Sequence, residues 1–163
     1  MNNKGTSLLE LIIYIAILSV VATVMVNIFS VSIKSRDLTN ARFEVAQNLR
    51  FATEKIRQAV FDASSISTSG SCNSNTLNIT TGASSSSVFI ENNVLKIFEN
   101  AATSSITTNN VIATTTSSCL FTVVNNPFPA KQTLQVKIKM VYNSQGRSDL
   151  DIGDSTQMTI SLR

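Results

Sequence analysis

Lys4-Gly5-Thr6-Ser7-Leu8-Leu9-Glu10, with the apolar run that continues to about Ile33, decides how the rest of the chain is read. A basic residue, a glycine and two hydroxyl residues lead into a hydrophobic segment interrupted near its start by one carboxylate. About 20 apolar residues at ~1.5 Å each span the ~30 Å hydrocarbon core of a bilayer, so the run is a candidate membrane helix. An acid inside such a run is unfavourable in lipid and asks for a functional partner.

Composition narrows the rest. With 163 residues the chain has room for this segment and one modest domain. Thirteen basic against ten acidic residues give a net charge of +3, with no Lys/Arg cluster dense enough to predict direct nucleic-acid binding. The absence of histidine removes Ser-His-Asp and Cys-His arrangements and most zinc sites. Cys72 and Cys119 lie outside the apolar run. If that region is exported they are expected to pair; the alternative is two buried free thiols.

Met1 to Gly5 reads as a leader. A secretory signal peptide has a shorter apolar core and a small-residue cleavage site, whereas this run continues without one and is expected to stay as an anchor. Lys4-Gly5 followed by Leu8-Leu9-Glu10-Leu11-Ile12-Ile13 and a long apolar helix resembles the class III signal of type IV pilins and type II secretion pseudopilins. The resemblance implies cleavage by a prepilin peptidase between Gly5 and Thr6 and N-methylation of Thr6, where the family usually has phenylalanine. It makes Glu10 the fifth residue of the mature chain, the family's acidic position, facing the N-terminal amine of a neighbouring subunit. Such pairing avoids the penalty of an isolated buried charge; the alternative is an acid that snorkels to the headgroups.

Ser19, Thr23, Asn27 and Ser30 recur every three or four residues and share one helical face, the spacing that lets membrane helices approach and hydrogen-bond. Lys34, Arg36 and Arg42 follow the run, so the positive-inside count does not set the orientation, which rests on the resemblance. From Leu38 the pattern turns amphipathic. Leu38, Ala41, Val45, Leu49, Ala52, Ile56, Ala59 and Ala63 form a core stripe, and the charges between them read as a solvated face. Phe43, Phe51 and Phe61 fall off the stripe and are read either as inter-subunit contacts or as packing beneath the sheet or its loops.

Ser64 to Asn75 reads as a loop. Strands are predicted at 76–81, 87–90, 94–98, 111–114, 119–124, 134–142 and 157–162, with a hairpin turn at Glu91-Asn92-Asn93. Val136, Ile138 and Met140 alternate with Lys137, Lys139 and Val141, and the last two strands are expected to pair antiparallel. Ser84 to Ser87 and Ala102 to Ser118 are Ser/Thr/Asn-rich and read as surface loops or weak edge strands. Asp149, Asp151 and Asp154 are weak metal candidates, because their spacing fails the EF-hand pattern. No substrate-binding set accompanies them, so no enzyme and no cofactor is expected.

These readings combine into an α+β chain: leader 1–5, hydrophobic helix 6–33, amphipathic helix 34–63 and a β-rich domain 64–163 carrying a small antiparallel sheet. The helix end at Arg57, Ala59 and Ala63 and the final Thr159 to Arg163 look similar to minor pilins of the W type or pseudopilins of the J type. The resemblance implies a single-pass inner-membrane protein, with its domain outside the cytoplasm, that later joins a fibre. Its partners would be other pilin-like subunits, the prepilin peptidase, the inner-membrane assembly platform and membrane lipid. A membrane-anchored binding protein that never polymerises and a major adhesive pilin are the rival readings.

Overall fold

The computed structural model describes residues 4–68, 75–115, 119–127 and 130–162, and side chains at 4–7, 126, 127 and 130 are left aside. The chain is α+β, one long N-terminal helix followed by antiparallel strands. It divides into two compact units, Met1–Thr39 and Asn40–Arg163. The second unit therefore joins the amphipathic part of the helix to all the strands.

Helix α1 (Lys4–Phe61) has 58 residues. From Thr6 to Ala63 the sequence holds neither glycine nor proline, so nothing in the backbone interrupts it. Within the first unit, the apolar part of α1 is long and apolar enough to cross a membrane, and its most apolar window buries no side chain. Within the second unit the stripe predicted from sequence is buried at Ala41, Val45, Leu49, Ala52 and Ile56. Ala59 is only partly buried and Val60 takes the core position beside it. The helix closes in a tightened turn, Ala63 N donating to Val60 O at 3.2 Å. Ser64 then ties the exit to the sheet, its N and Oγ both donating to Thr80 O at 2.8 Å.

Two sheets cover the stripe where the sequence predicts one. The first runs in chain order through β1 (Ser65–Thr68), β2 (Thr76–Thr81), β3 (Ser84–Glu91), β4 (Val94–Glu99) and β5 (Ala102–Ser105). Strand β1 lies inside the predicted loop; it has one apolar residue, Ile66, too few for a period-two signal. Asn92 and Asn93 both have positive φ, 52° and 63°, which suits the predicted two-residue hairpin turn. Asn100 and Ala101 repeat that geometry between β4 and β5, at φ 51° and 61°.

In the second sheet, β8 (Ala130–Tyr142) is the spine. Strand β7 (Phe121–Pro127) pairs with its first half and β6 (Val111–Thr115) with its second. Strand β9 (Gly153–Ser161) pairs antiparallel along β8, as predicted, from Thr133↔Ser161 to Val141↔Gly153. Leu134, Val136, Ile138 and Met140 are fully buried, and with Val45, Leu49, Ile56, Val60, Leu77, Val88 and Leu95 they form one core. Each such aliphatic side chain contributes roughly 1.5–3 kcal/mol on burial. Gln132 bridges the sheets, its Oε1 accepting from Ile66 N at 2.9 Å and its Nε2 donating to Asn125 Oδ1 at 3.1 Å.

Candidate functional site

The N-terminal part of α1 holds most of the residues singled out from sequence. Gly5 and Thr6 are helical in backbone. Glu10 is exposed, and its Oε1 accepts from Tyr14 Oη at 3.3 Å, one turn along the same helix. That neutral hydroxyl is a partner the sequence reading did not name, although the i, i+4 spacing contains it. Among the described residues no cation pairs with Glu10.

Ser19 Oγ donates to Ala16 O at 2.8 Å, Thr23 Oγ1 to Ser19 O at 2.9 Å and Ser30 Oγ to Val26 O at 2.9 Å. Each hydroxyl thus spends its proton on its own helix, which satisfies it in an apolar setting. What remains for a neighbour is small size and an acceptor oxygen. Asn27 differs: its carboxamide is exposed and makes no hydrogen bond to another described residue. Glu10 lies nine residues before Ser19, about 180° around an ideal helix, and the stripe then turns back through Thr23, about 140° from the acid, to Asn27, about 100° from it.

The second unit holds a cleft of about 710 Å³ that the sequence did not reveal. Phe43, Phe51 and Ile106 supply its apolar wall, and Gln47, Arg50 and Glu54 its polar rim. Phe43 is 68% exposed, Phe51 49% and Phe61 55%, which corrects the alternative that they pack beneath the sheet. The cleft floor is a buried polar lock. Asn48, 6% exposed, donates from Nδ2 to Glu44 O at 2.9 Å and accepts at Oδ1 from Thr108 N at 2.9 Å. Glu44 Oε1 accepts from Thr108 Oγ1 and Asn110 Nδ2, both at 3.0 Å. Sequence reading had placed Glu44 on a solvated face; the available signal was Asn48, a polar residue at core spacing between Val45 and Ala52.

Cys119 is buried and is not a free thiol, while Cys72, its expected partner, lies outside the described residues. Asp149 pairs with Arg147 Nη2 at 2.9 Å, and Asp154 Oδ1 accepts from Ser155 N at 2.8 Å. Asp151 is exposed in the connection before β9. No group of three or more carboxylate, thiolate or imidazole ligands gathers among the described residues. Compared with protein-family models, curated proteins and solved structures, the chain matches none.

Proposed function

We propose that this chain is a structural subunit of a type IV pilus or type II secretion-like fibre, in the manner of a minor pilin or pseudopilin, and not an enzyme. The observation that carries the reading is the exposed apolar helix with Glu10, whose carboxylate has, among the described residues, only a tyrosine hydroxyl as partner. In lipid or in a helix bundle such a carboxylate requires a cation from elsewhere. The amine of a neighbouring subunit, freed by cutting between Gly5 and Thr6 and then methylated, supplies one. On this reading the helix first anchors the chain in the inner membrane, with the β-rich domain outside the cytoplasm. The assembly platform then transfers it into the fibre, where neighbours cover the surface that lipid covered.

Glu10 and Ser19 stand on opposite faces of the helix, so on this reading a partner at Glu10 and a helix packed at Ser19 approach from different sides. A disulfide between Cys72 and Cys119 belongs to the same proposal, as the staple expected of an exported domain. A membrane-anchored binding protein that does not polymerise shares the helix but explains neither Lys4-Gly5 nor the position of Glu10; a major adhesive pilin would dominate sheared fibres by abundance.

Processing tests the proposal. Mass spectrometry of the protein from cells with and without the prepilin peptidase should give a chain starting at Thr6 only when the peptidase is present. An intact leader in both would refute it.

A further inference from the structure

Strand β8 places every odd-numbered residue from Lys131 to Val141 on the face of the second sheet that points away from the core, while Leu134, Val136, Ile138 and Met140 are buried beneath. The pairing carries no break in register along β6, β7 or β9, so residues opposite these positions share that outer face. Lys137 faces Gln157, Lys139 faces Ser155 across β9, and Thr114 flanks Lys139 from β6. Lys131 extends the line, so three ammonium groups spread over roughly 27 Å of strand.

Among the described residues no carboxylate side chain belongs to this face. Asp154 is the nearest in β9, but it pairs with Met140 and therefore points to the opposite side. Among the described residues none of the three lysines has an ion-pair partner, unlike Lys96, which holds Glu91 Oε2 at 2.6 Å. The chain has 13 basic and 10 acidic residues, so the three lysines equal its entire excess of positive charge. Gly153 leaves room on the sheet beside Lys139, since a Cβ there would stand 3.7 Å from Lys139 Cε and 3.2 Å from Val141 Cγ2.

We propose that this Lys131-Lys137-Lys139 face of the second sheet binds an acidic polysaccharide, an extended chain carrying both carboxylates and hydroxyls. Charge complementarity selects a polyanion. The hydroxyls and carboxamides beside the lysines, at Thr122, Thr133, Gln135, Gln157 and Thr159, match the sugar hydroxyls between its charges. A nucleic acid fits less well, because single strands are held by aromatic stacking and among the described residues no aromatic side chain lies on this face. The proposal does not depend on assembly into a fibre.

The test uses the full chain in a neutral detergent and immobilised polygalacturonate, with dextran and duplex DNA as controls. The chain should bind polygalacturonate and not dextran, and raising salt from about 50 to about 500 mM should release it. Replacing both lysines (Lys137→Thr with Lys139→Thr) should weaken binding by about tenfold, the loss of two exposed ion pairs, whereas Lys55→Thr on the helix should leave it unchanged. Unchanged binding by the double variant, equal loss in Lys55→Thr, failure to bind polygalacturonate, or DNA bound as tightly would each overturn the proposal.

Discussion

The two parts of α1 are continuous in backbone and opposite in burial. From Leu8 to Thr39 no side chain is buried, although most are apolar; from Asn40 to Phe61, Ala41, Val45, Asn48, Leu49, Ala52, Ile56 and Val60 all are. Both parts lack proline and glycine. Helical propensity and unbroken backbone bonding therefore build the element, and burial is a separate matter of what covers it. The later part finds its cover in the two sheets of its own chain. The earlier part has no such cover among the described residues, and on our reading lipid or other helices supply it.

The largest effect that can break this comparison is a pair of truncations. Leu134→Ala, in a fully buried position, should cost about 2–5 kcal/mol in urea denaturation followed by circular dichroism of the full chain in detergent. Leu18→Ala, at 69% exposure, should change it by about 0.5 kcal/mol or less. Equal costs would mean that the apolar part of the helix is packed by its own chain after all. Next in size, Asn48→Ala leaves Thr108 N without its acceptor and should cost about 1–3 kcal/mol. Hydrogen exchange should then quicken at the Thr108 amide and stay slow at Leu77 in the core; protection retained at Thr108 would show that the lock is not what holds the loop.

A gain is also expected on the sheet side. Ala101 sits at φ 61°, where a Cβ is strained and glycine is not, so Ala101→Gly should stabilise the chain by about 0.5–1 kcal/mol and raise its melting temperature. A fall would show that unfolded-state entropy outweighs the strain. Smallest of all, Thr23→Val removes a hydroxyl that, among the described residues, bonds only its own helix and should shift stability in detergent by no more than about 0.5 kcal/mol.

The helix and its buried stripe were legible because 3.6-residue periodicity is a local property: Ala41, Val45, Leu49, Ala52 and Ile56 announce themselves. Near the end the ideal step selected Ala59 where the structure buries Val60 more deeply, and the predicted Ala63 is again buried. Strands with alternating apolar residues were legible too, at Val94–Glu99 and along Val136, Ile138 and Met140. What escaped depends on distant partners. Ser65–Thr68 pairs by backbone with Thr76–Thr81 and carries almost no hydrophobic signal. The two sheets are joined through Gln132 and Ile66, 66 residues apart, and the neighbours of β8 come from separate stretches of the chain. Asn48 and Thr108 are 60 residues apart, so no local pattern joins them. Of the proposed assembly residues, Glu10 stood out in sequence because a charge in an apolar run is conspicuous; Tyr14, its intrahelical donor, did not, because a tyrosine there looks like one more apolar residue.

The central claim is that the exposed helix is made to be covered by other subunits through Glu10. It is tested most directly by comparing the membrane and sheared-fibre fractions of cells producing the natural chain or Glu10→Ala. The account predicts that both chains are inserted and cut after Gly5, that the natural chain appears in both fractions, and that Glu10→Ala is confined to the membrane. Glu10→Ala in the fibre fraction at the natural proportion would contradict it.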